Sequence, residues 1–293
     1  VHYPYISPQG LTAAEQTQQF ALLCCAHAQT DLTVAIQTRG QLSAAQTLTA
    51  KVVDKALLCH DVMQVTLKLP STARFEFLPG QYVDFLVDPA RFNNKRRSFS
   101  IANVPNEDNL IELHVRHTPG GQFSQYVFNE LPLKSVLRLE APLGNFYWRD
   151  SPLPALLIAG GTGFAPLKAM MEYAITQHHL GGWVRPVHLY WGARAQHDLY
   201  QHALVQSWLQ YDWFNYTPVL SNPETQDQPE RTGFVHEAVI ADYPVLRGFE
   251  CYLSGPPIMI HAAKDAFVAQ GADLSRMYSD AFEYAHITWP TVA

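Results

Sequence analysis

Cysteine is scarce in this chain. Cys24, Cys25, Cys59 and Cys251 are the only thiols in 293 residues, too few and too irregularly spaced for a disulfide framework, and this usage fits a reducing compartment. Long apolar runs are also missing. No stretch of about eighteen apolar residues occurs, and the opening VHYPYISPQG has neither a basic nor an apolar leader region, so no membrane span or signal peptide is expected and the expected location is cytoplasmic. Positive charge is in deficit, with 20 Lys and Arg against 26 Asp and Glu, and a net charge of −6 excludes bulk nucleic-acid binding. The histidines, His178-His179 among them, show no metal spacing such as H-E-x-x-H and read as surface or satisfied residues. No Ser-His-Asp arrangement follows from chain order, and no internal repeat or low-complexity tract is present.

What the chain does contain is apolar patterning of two kinds. From Ala50 to Glu140 the period is two: VMQVTLKL places Met63, Val65, Leu67 and Leu69 on one face, and LIELHVRH and SVLRLEAP repeat the alternation between Pro, Gly and Asn turns. That pattern predicts an antiparallel barrel or sandwich. After Asp150 the period changes. ALLIAGG is a continuous apolar run ending in glycine, and Leu167, Met170, Met171, Ala174 and Ile175 follow at helical spacing. VHLYWG, FNYTPVL and ECYLSG are further buried-strand candidates, with helical stretches after Asp198 and Ile258. The expected fold is therefore a two-domain β plus α/β chain, an antiparallel β-barrel followed by a doubly wound parallel sheet. The divisions expected are residues 1–45, 46–150 and 151–293, with the boundary inside YWRDSPLPA. Trp183, Trp191, Trp208 and Trp213 are expected in the core.

Three stretches carry chemistry. In LLIAGGTGFAPLKAMMEYA, Gly160, Gly161 and Gly163 let backbone approach a ligand closely, and the helix N-terminus that follows suits an anion such as a dinucleotide pyrophosphate. Its spacing is not G-x-G-x-x-G, so a plain strand-to-helix turn is the competing reading. In TPGGQFSQYVF, Gly120, Gly121 and Ser124 offer N–H groups and a hydroxyl to a second phosphate. The third stretch, NNKRRSFSIAN, concentrates Lys95, Arg96 and Arg97 in an acidic chain.

Arg97-Ser98-Phe99-Ser100, GGQFS, GGTGFAPL, YWGAR, YLSGPP and YSDAF occur together in an order that resembles the ferredoxin–NADP reductase-like superfamily. The likeness is to its bacterial oxygenase-reductase branch, the type of the methane and phenol monooxygenase reductases and CDP-6-deoxy-3,4-glucoseen reductase, and spans about residues 45 to 285. It implies an FAD-binding barrel, FAD rather than FMN, and an NAD(P)-binding domain taking NADH or NADPH. By that resemblance Arg97 would grip the flavin pyrophosphate, Phe99 would lie against the isoalloxazine, and Ser98, Ser100 and Val115 would complete the flavin strand contacts, with the Ser100 hydroxyl near N5. Gly120, Gly121, Gln122 and Ser124 would wrap the flavin phosphates. Gly160, Gly161, Thr162 and Gly163 would hold the nicotinamide dinucleotide, Thr162 nearest its ring, with Gly255 and Pro256 beside them and Arg194 near the adenosine ribose. Asp280 and Phe282 would approach the flavin. Two departures stand out: Phe99 replaces the usual tyrosine, and Ser254 replaces the usual cysteine before Gly-Pro-Pro. Lys95 and Arg96 have no role in the pattern and read as solvated loop charges.

LLCCAHAQTDLTVAI resembles the segment bearing the last cysteine of a plant-type ferredoxin domain, which places Cys24 as a fourth 2Fe-2S ligand in a full-length domain. The three upstream cysteines are not in this sequence, so no metal ligand set is expected within it and a 2Fe-2S cluster only if a preceding segment is missing. Truncation is preferred over natural loss, since the sequence starts without Met. The expected function is an NAD(P)H-dependent flavin oxidoreductase that passes electrons singly to a cluster, a ferredoxin domain or an oxygenase component. The alternatives are a reductase of free flavin and a redox-silent flavin-binding module.

Overall fold

The computed structural model describes residues 17, 27–31, 43–73, 75–87, 92, 96–222 and 231–281. Cys24, Lys95 and Phe282 lie outside them. The period-two region forms β1 (Gln46–Cys59), β2 (Val62–Lys68), β3 (Tyr82–Phe85), β4 (Arg97–Ser100), β5 (Leu110–Arg116) and β6 (Val136–Leu143), with a helix α1 (Gln122–Asn129) between the last two. The strands pair antiparallel in the order β4-β3-β6-β1-β2-β5. An antiparallel bridge between Ile101 and Leu113 carries the end of β4 back to β5 and closes the sheet on itself. Alternation explains the closure: Leu48, Ala50, Val52, Val65, Leu67, Ile111, Leu113 and Leu139 all turn inward and are buried. Burying each Leu or Ile fully contributes about 1.5–3 kcal/mol.

The second half forms β7 (Ala155–Gly160), α2 (Phe164–His179), β8 (Val187–Ala193), α3 (His202–Ser207), β9 (Phe214–Leu220), β10 (Arg231–Thr232), α4 (Val235–Asp242), β11 (Glu250–Gly255), α5 (Pro257–Ala269) and β12 (Met277–Ala281). All pairings are parallel, in the order β10-β9-β8-β7-β11-β12. Every residue of β7 and of β11 is buried, because helices cover both faces of the sheet. Leu157 and Ala159 pack with Leu167, Met170 and Met171 of α2, while Leu156 and Ile158 pack with Val239 of α4 and Phe267 of α5. The chain order reverses direction between β7 and β11, which makes the carboxyl ends of these two strands the expected ligand crevice of an open α/β sheet.

Arg185 anchors the connector to this sheet. Its guanidinium donates to Glu250 Oε2 at 2.6 Å, to the Tyr252 hydroxyl at 3.0 Å and to the Arg149 carbonyl at 3.1 Å, and it lies over the Trp148 ring. The expectation of four core tryptophans needs correction for one of them. Trp191 and Trp208 are buried, but Trp183 is 69% exposed because it follows the Gly181-Gly182 turn that ends α2, beyond the reach of either sheet face.

Candidate active site

Glycine is required where β7 and β11 meet. Gly161 has φ +55° and Gly255 φ +148°, and a methyl on Gly255 would approach the Gly160 backbone to 3.0 Å. A methyl on Gly163 would fall against the Ser254 carbonyl and 2.8 Å from the Gly255 nitrogen. The short turn Gly161–Gly163 is thus pressed onto the end of β11, and from the other side the Trp191 indole donates to the Gly161 carbonyl at 2.9 Å while stacking on Phe164 at 4.0 Å. Thr162 sits half-buried in the middle of this turn. No side chain caps α2 and no acidic residue stands in its first turn, which leaves the positive end of the helix open to an anion.

The barrel reaches the same place through β4. Ser100, buried, donates to Asp280 Oδ2 at 2.8 Å, and Asp280 is in register with Ser254 across β11 and β12. Burial pushes the Asp280 carboxyl up to about 6, against the pull of the Ser100 hydrogen bond. Ser254 is fully buried and its hydroxyl has no hydrogen-bond partner. Ser100, Asp280, Ser254, Gly163 and Gly255 therefore form one continuous line across the domain interface.

Alternation along β4 sends Arg97 and Phe99 to one face and Ser98 and Ser100 to the other. Phe99 packs edge-on to Phe85 at 5.8 Å and beside Phe123 at 5.6 Å, next to Phe92 and Tyr126. Arg97 is half-buried, which lowers its pKa, and donates to the Arg96 carbonyl at 3.1 Å. Arg96 is the exposed loop charge expected, 59% open to solvent, and it has partners as well. Its guanidinium pairs with Asp84 at 3.3 Å and with Glu140, tying β4 to β3 and β6, and Asp84 also accepts the Ser98 hydroxyl. In the second glycine loop, Gly120 has φ +73° and Gly121 caps α1. Ser124 accepts from the Thr118 N–H and donates to the Gly121 carbonyl, so its hydroxyl closes the loop from within. Gln122 is exposed at the start of α1, and Val115 is buried in the barrel core. Arg194 stands apart from this group, 70% exposed beyond β8, with its Nε 3.7 Å from Asp198. Pro256 begins the turn into α5.

Sequence reasoning missed the polar seam that holds the two halves together. Lys168 of α2 is buried, donates to the Ala102 carbonyl at 2.9 Å, and pairs with Glu112 at 3.2 Å and Glu172 at 2.7 Å. Glu112 also contacts His114 Nε2 at 2.8 Å, whose Nδ1 lies 2.9 Å from the Tyr200 hydroxyl. Burial holds His114 below its ordinary value and therefore neutral, which makes Nε2–H the donor to Glu112 and Nδ1 the acceptor from Tyr200. Burial alone would raise Glu112, but the His114 hydrogen bond and the Lys168 charge outweigh it and hold it low. Arg116, paired with Asp61 at 3.2 Å, lies directly over Gly161. The one available signal was Lys168 itself, a single cation in the otherwise apolar stretch FAPLKAMM.

Comparison with known proteins agrees with this two-part arrangement. The family described as oxidoreductase FAD-binding domain matches residues 49–148, and the oxidoreductase NAD-binding domain matches residues 157–265. The CDP-6-deoxy-L-threo-D-glycero-4-hexulose-3-dehydrase reductase of Yersinia pestis is 38% identical over 274 residues, covering 93% of this chain and 80% of its own. The phenol hydroxylase P5 protein of Acinetobacter pittii is 34% identical over 270 residues, covering 88% and 72%. Among solved structures, a cytochrome P450 reductase of Amycolatopsis superposes with a TM-score of 0.76 at 32% identity, covering 93% of this chain and 81% of that one.

Proposed function

The chain belongs to the ferredoxin reductase-like family of FAD- and NAD-binding oxidoreductases, and from that premise we propose how its own residues carry out the family's reaction. It is an NAD(P)H-dependent oxidoreductase whose electrons pass from NAD(P)H through FAD toward a partner. FAD, when bound, supplies the conversion of a two-electron hydride donor into a source of single electrons. Hydride transfer needs close placement and no external acid or base, so the protein's contribution is orientation.

The residues fit both groups. A half-buried guanidinium at Arg97 is suited to a diphosphate, which would offset its desolvation and accept a charge-assisted hydrogen bond. Phe99 offers an aromatic face, and the backbone of Gly120, Gly121 and Gln122 at the start of α1 offers N–H groups to phosphate, with Ser124 shaping that loop. On the sheet side, Gly160, Gly161, Thr162 and Gly163 would cradle the dinucleotide beside Gly255 and Pro256, with the three glycines letting the turn pack onto Pro256, Arg116 and Ser254. Ser254 brings the orphaned hydroxyl, a donor that a nicotinamide amide would satisfy. Arg194, extended into solvent, would lie near the adenosine ribose, where its cation would allow a 2′-phosphate and so NADPH as well as NADH. We assign residues 46–150 to the flavin domain and 151–293 to the dinucleotide domain.

The observation that carries this reading is the Ser100–Asp280 hydrogen bond, which joins the flavin strand to the carboxyl end of the parallel sheet across 180 positions of sequence. Single electrons would leave to an iron–sulfur protein or an oxygenase component; the relatives named for phenol hydroxylase and cytochrome P450 support the oxygenase. Among the described residues no helix is long and apolar enough to cross a membrane. Anaerobic addition of NADH and of NADPH should bleach the visible flavin band, with FAD still bound after gel filtration. If neither nucleotide bleaches it, the reductase assignment to this site is wrong; if the flavin is lost on the column yet turned over when added back, free flavin is the substrate.

A further inference from the structure

We propose that His60, His197 and Asp198 form a divalent-metal site of the kind that takes zinc, joining the β1–β2 hairpin of the barrel to the turn after β8 of the parallel sheet. His60 Nε2 and His197 Nε2 each lie 3.8 Å from the same carboxylate oxygen, Asp198 Oδ1. The two imidazoles are 5.0 Å apart between ring centres and steeply inclined, and the three donor atoms all fall within 4.8 Å of one another.

The carboxylate is the independent evidence. The Asp198 side chain is only 4% exposed, its Oδ2 accepts the Ala195 N–H at 3.1 Å, and its Oδ1 has no hydrogen-bond partner although it is buried. Arg194, 70% exposed, stands 3.7 Å from the other oxygen, Oδ2, and leaves Oδ1 open; a buried carboxylate oxygen without a hydrogen bond and facing two imidazoles is costly unless a cation completes it. The neighbouring Asp61 is the weaker candidate, since it already holds Arg116 and accepts the Cys59 thiol.

Dimensions and donor types agree. With zinc at about 2.0–2.2 Å from nitrogen and oxygen, tetrahedral ligands stand about 3.4 Å apart, so the observed 3.8 Å needs a contraction of about 0.4 Å. His60 and His197 are 52% and 54% exposed, so the contraction falls on surface side chains. Two imidazoles and one carboxylate favour zinc, nickel or copper over calcium or magnesium, and the exposed side leaves a fourth position for water. Because the ligands come from both domains, an ion here clamps the interface beside Arg116 and the glycine-rich turn.

Metal binding is read without turnover, so its failure would leave the reductase assignment standing. The full chain with its flavin, stripped with EDTA, is titrated with zinc chloride by calorimetry and with cobalt(II) by visible absorption. One ion per chain is expected, with the strong visible bands of tetrahedral cobalt. His60→Ala and His197→Ala should each weaken binding at least tenfold, while His178→Ala changes nothing, and the flavin spectrum of each variant reports that it has folded. Absence of saturable binding, or binding equal in both interface variants and the parent, overturns the site.

Discussion

Gly163→Ala isolates the packing on which the dinucleotide cradle depends. Gly163 has φ −58° and ψ −12°, a helical conformation that alanine adopts freely, so backbone preference alone would favour the substitution by up to about 1 kcal/mol. Sterics oppose it. The added methyl would lie 2.8 Å from the Gly255 nitrogen and closer still to the Ser254 carbonyl, both of them backbone of the central strand β11 and unable to rotate away. Ordinary carbon contacts begin near 3.5 Å, so the turn must retreat by at least about 0.7 Å. Overpacking of this kind costs about 1–3 kcal/mol, and a shift of this size at the reacting position slows hydride delivery by about 10- to 100-fold. Stopped-flow flavin reduction with NADH should show that loss, and calorimetry a Tm lower by about 2–6 °C, with FAD content unchanged because Arg97, Phe99 and the 120–122 loop all lie in the barrel. Gly161→Ala is the contrast: its methyl meets only the movable end of Arg116, at 2.7 Å, and costs the roughly 1–2 kcal/mol of a left-handed alanine. Reduction by Gly163→Ala at the parental rate, with the parental Tm, would refute the packing argument.

Three other outcomes follow from the same geometry. Arg97→Ala should lose flavin affinity by about ten- to hundredfold, the worth of one charge-assisted bond of about 1.5–3 kcal/mol, and unchanged FAD after dialysis would remove Arg97 from the site. In the ligand-free protein Asp280 binds its proton more tightly when folded, at about 6 against 3.8, so the native state holds more protons between those values and stability falls as pH rises through that window, by up to about 3 kcal/mol. Asp280→Asn should flatten that slope in urea unfolding relative to the parent, a comparison in which the opposite contribution of His188, held down near 4 by burial, cancels; an unaltered slope would show Asp280 to be unperturbed. Lys168→Met keeps the volume but leaves Glu112 and Glu172 without their shared cation, and because both carboxylates retain some water the expected cost is about 3 kcal/mol, the low end for breaking a buried pair; a loss below about 1 kcal/mol by urea unfolding would mean that the seam is decorative.

Local chemistry was legible where one segment carries the whole signal. The alternation in VMQVTLKL determined a strand, the unbroken apolar run ALLIAGG determined a buried parallel strand, and glycine at 160, 161 and 163 determined a turn that only glycine packs. These depend on period and on the missing Cβ, both properties of neighbouring residues. Trp183 was misread and the partners of Arg96 went unseen for the opposite reason: whether a cation finds Asp84 and Glu140, or an indole finds a sheet face, depends on strands far away in sequence. The helix α4 and the edge strands β10 and β12 had no strong pattern of their own and exist because α5 and β8 offer a surface to the helix and β9 and β11 offer partners to the strands.

The order of motifs along the chain was enough to determine two ligand-binding halves, since glycine turns and a cation beside a strand act over a few residues. Only the tertiary structure decided that Ser100 meets Asp280, that Lys168 reaches Glu112 and Ala102, and that His60 faces His197 and Asp198. Those contacts are made by loops and strand ends closing over long sequence separations, and their geometry is set by how a closed barrel and a parallel sheet pack against each other.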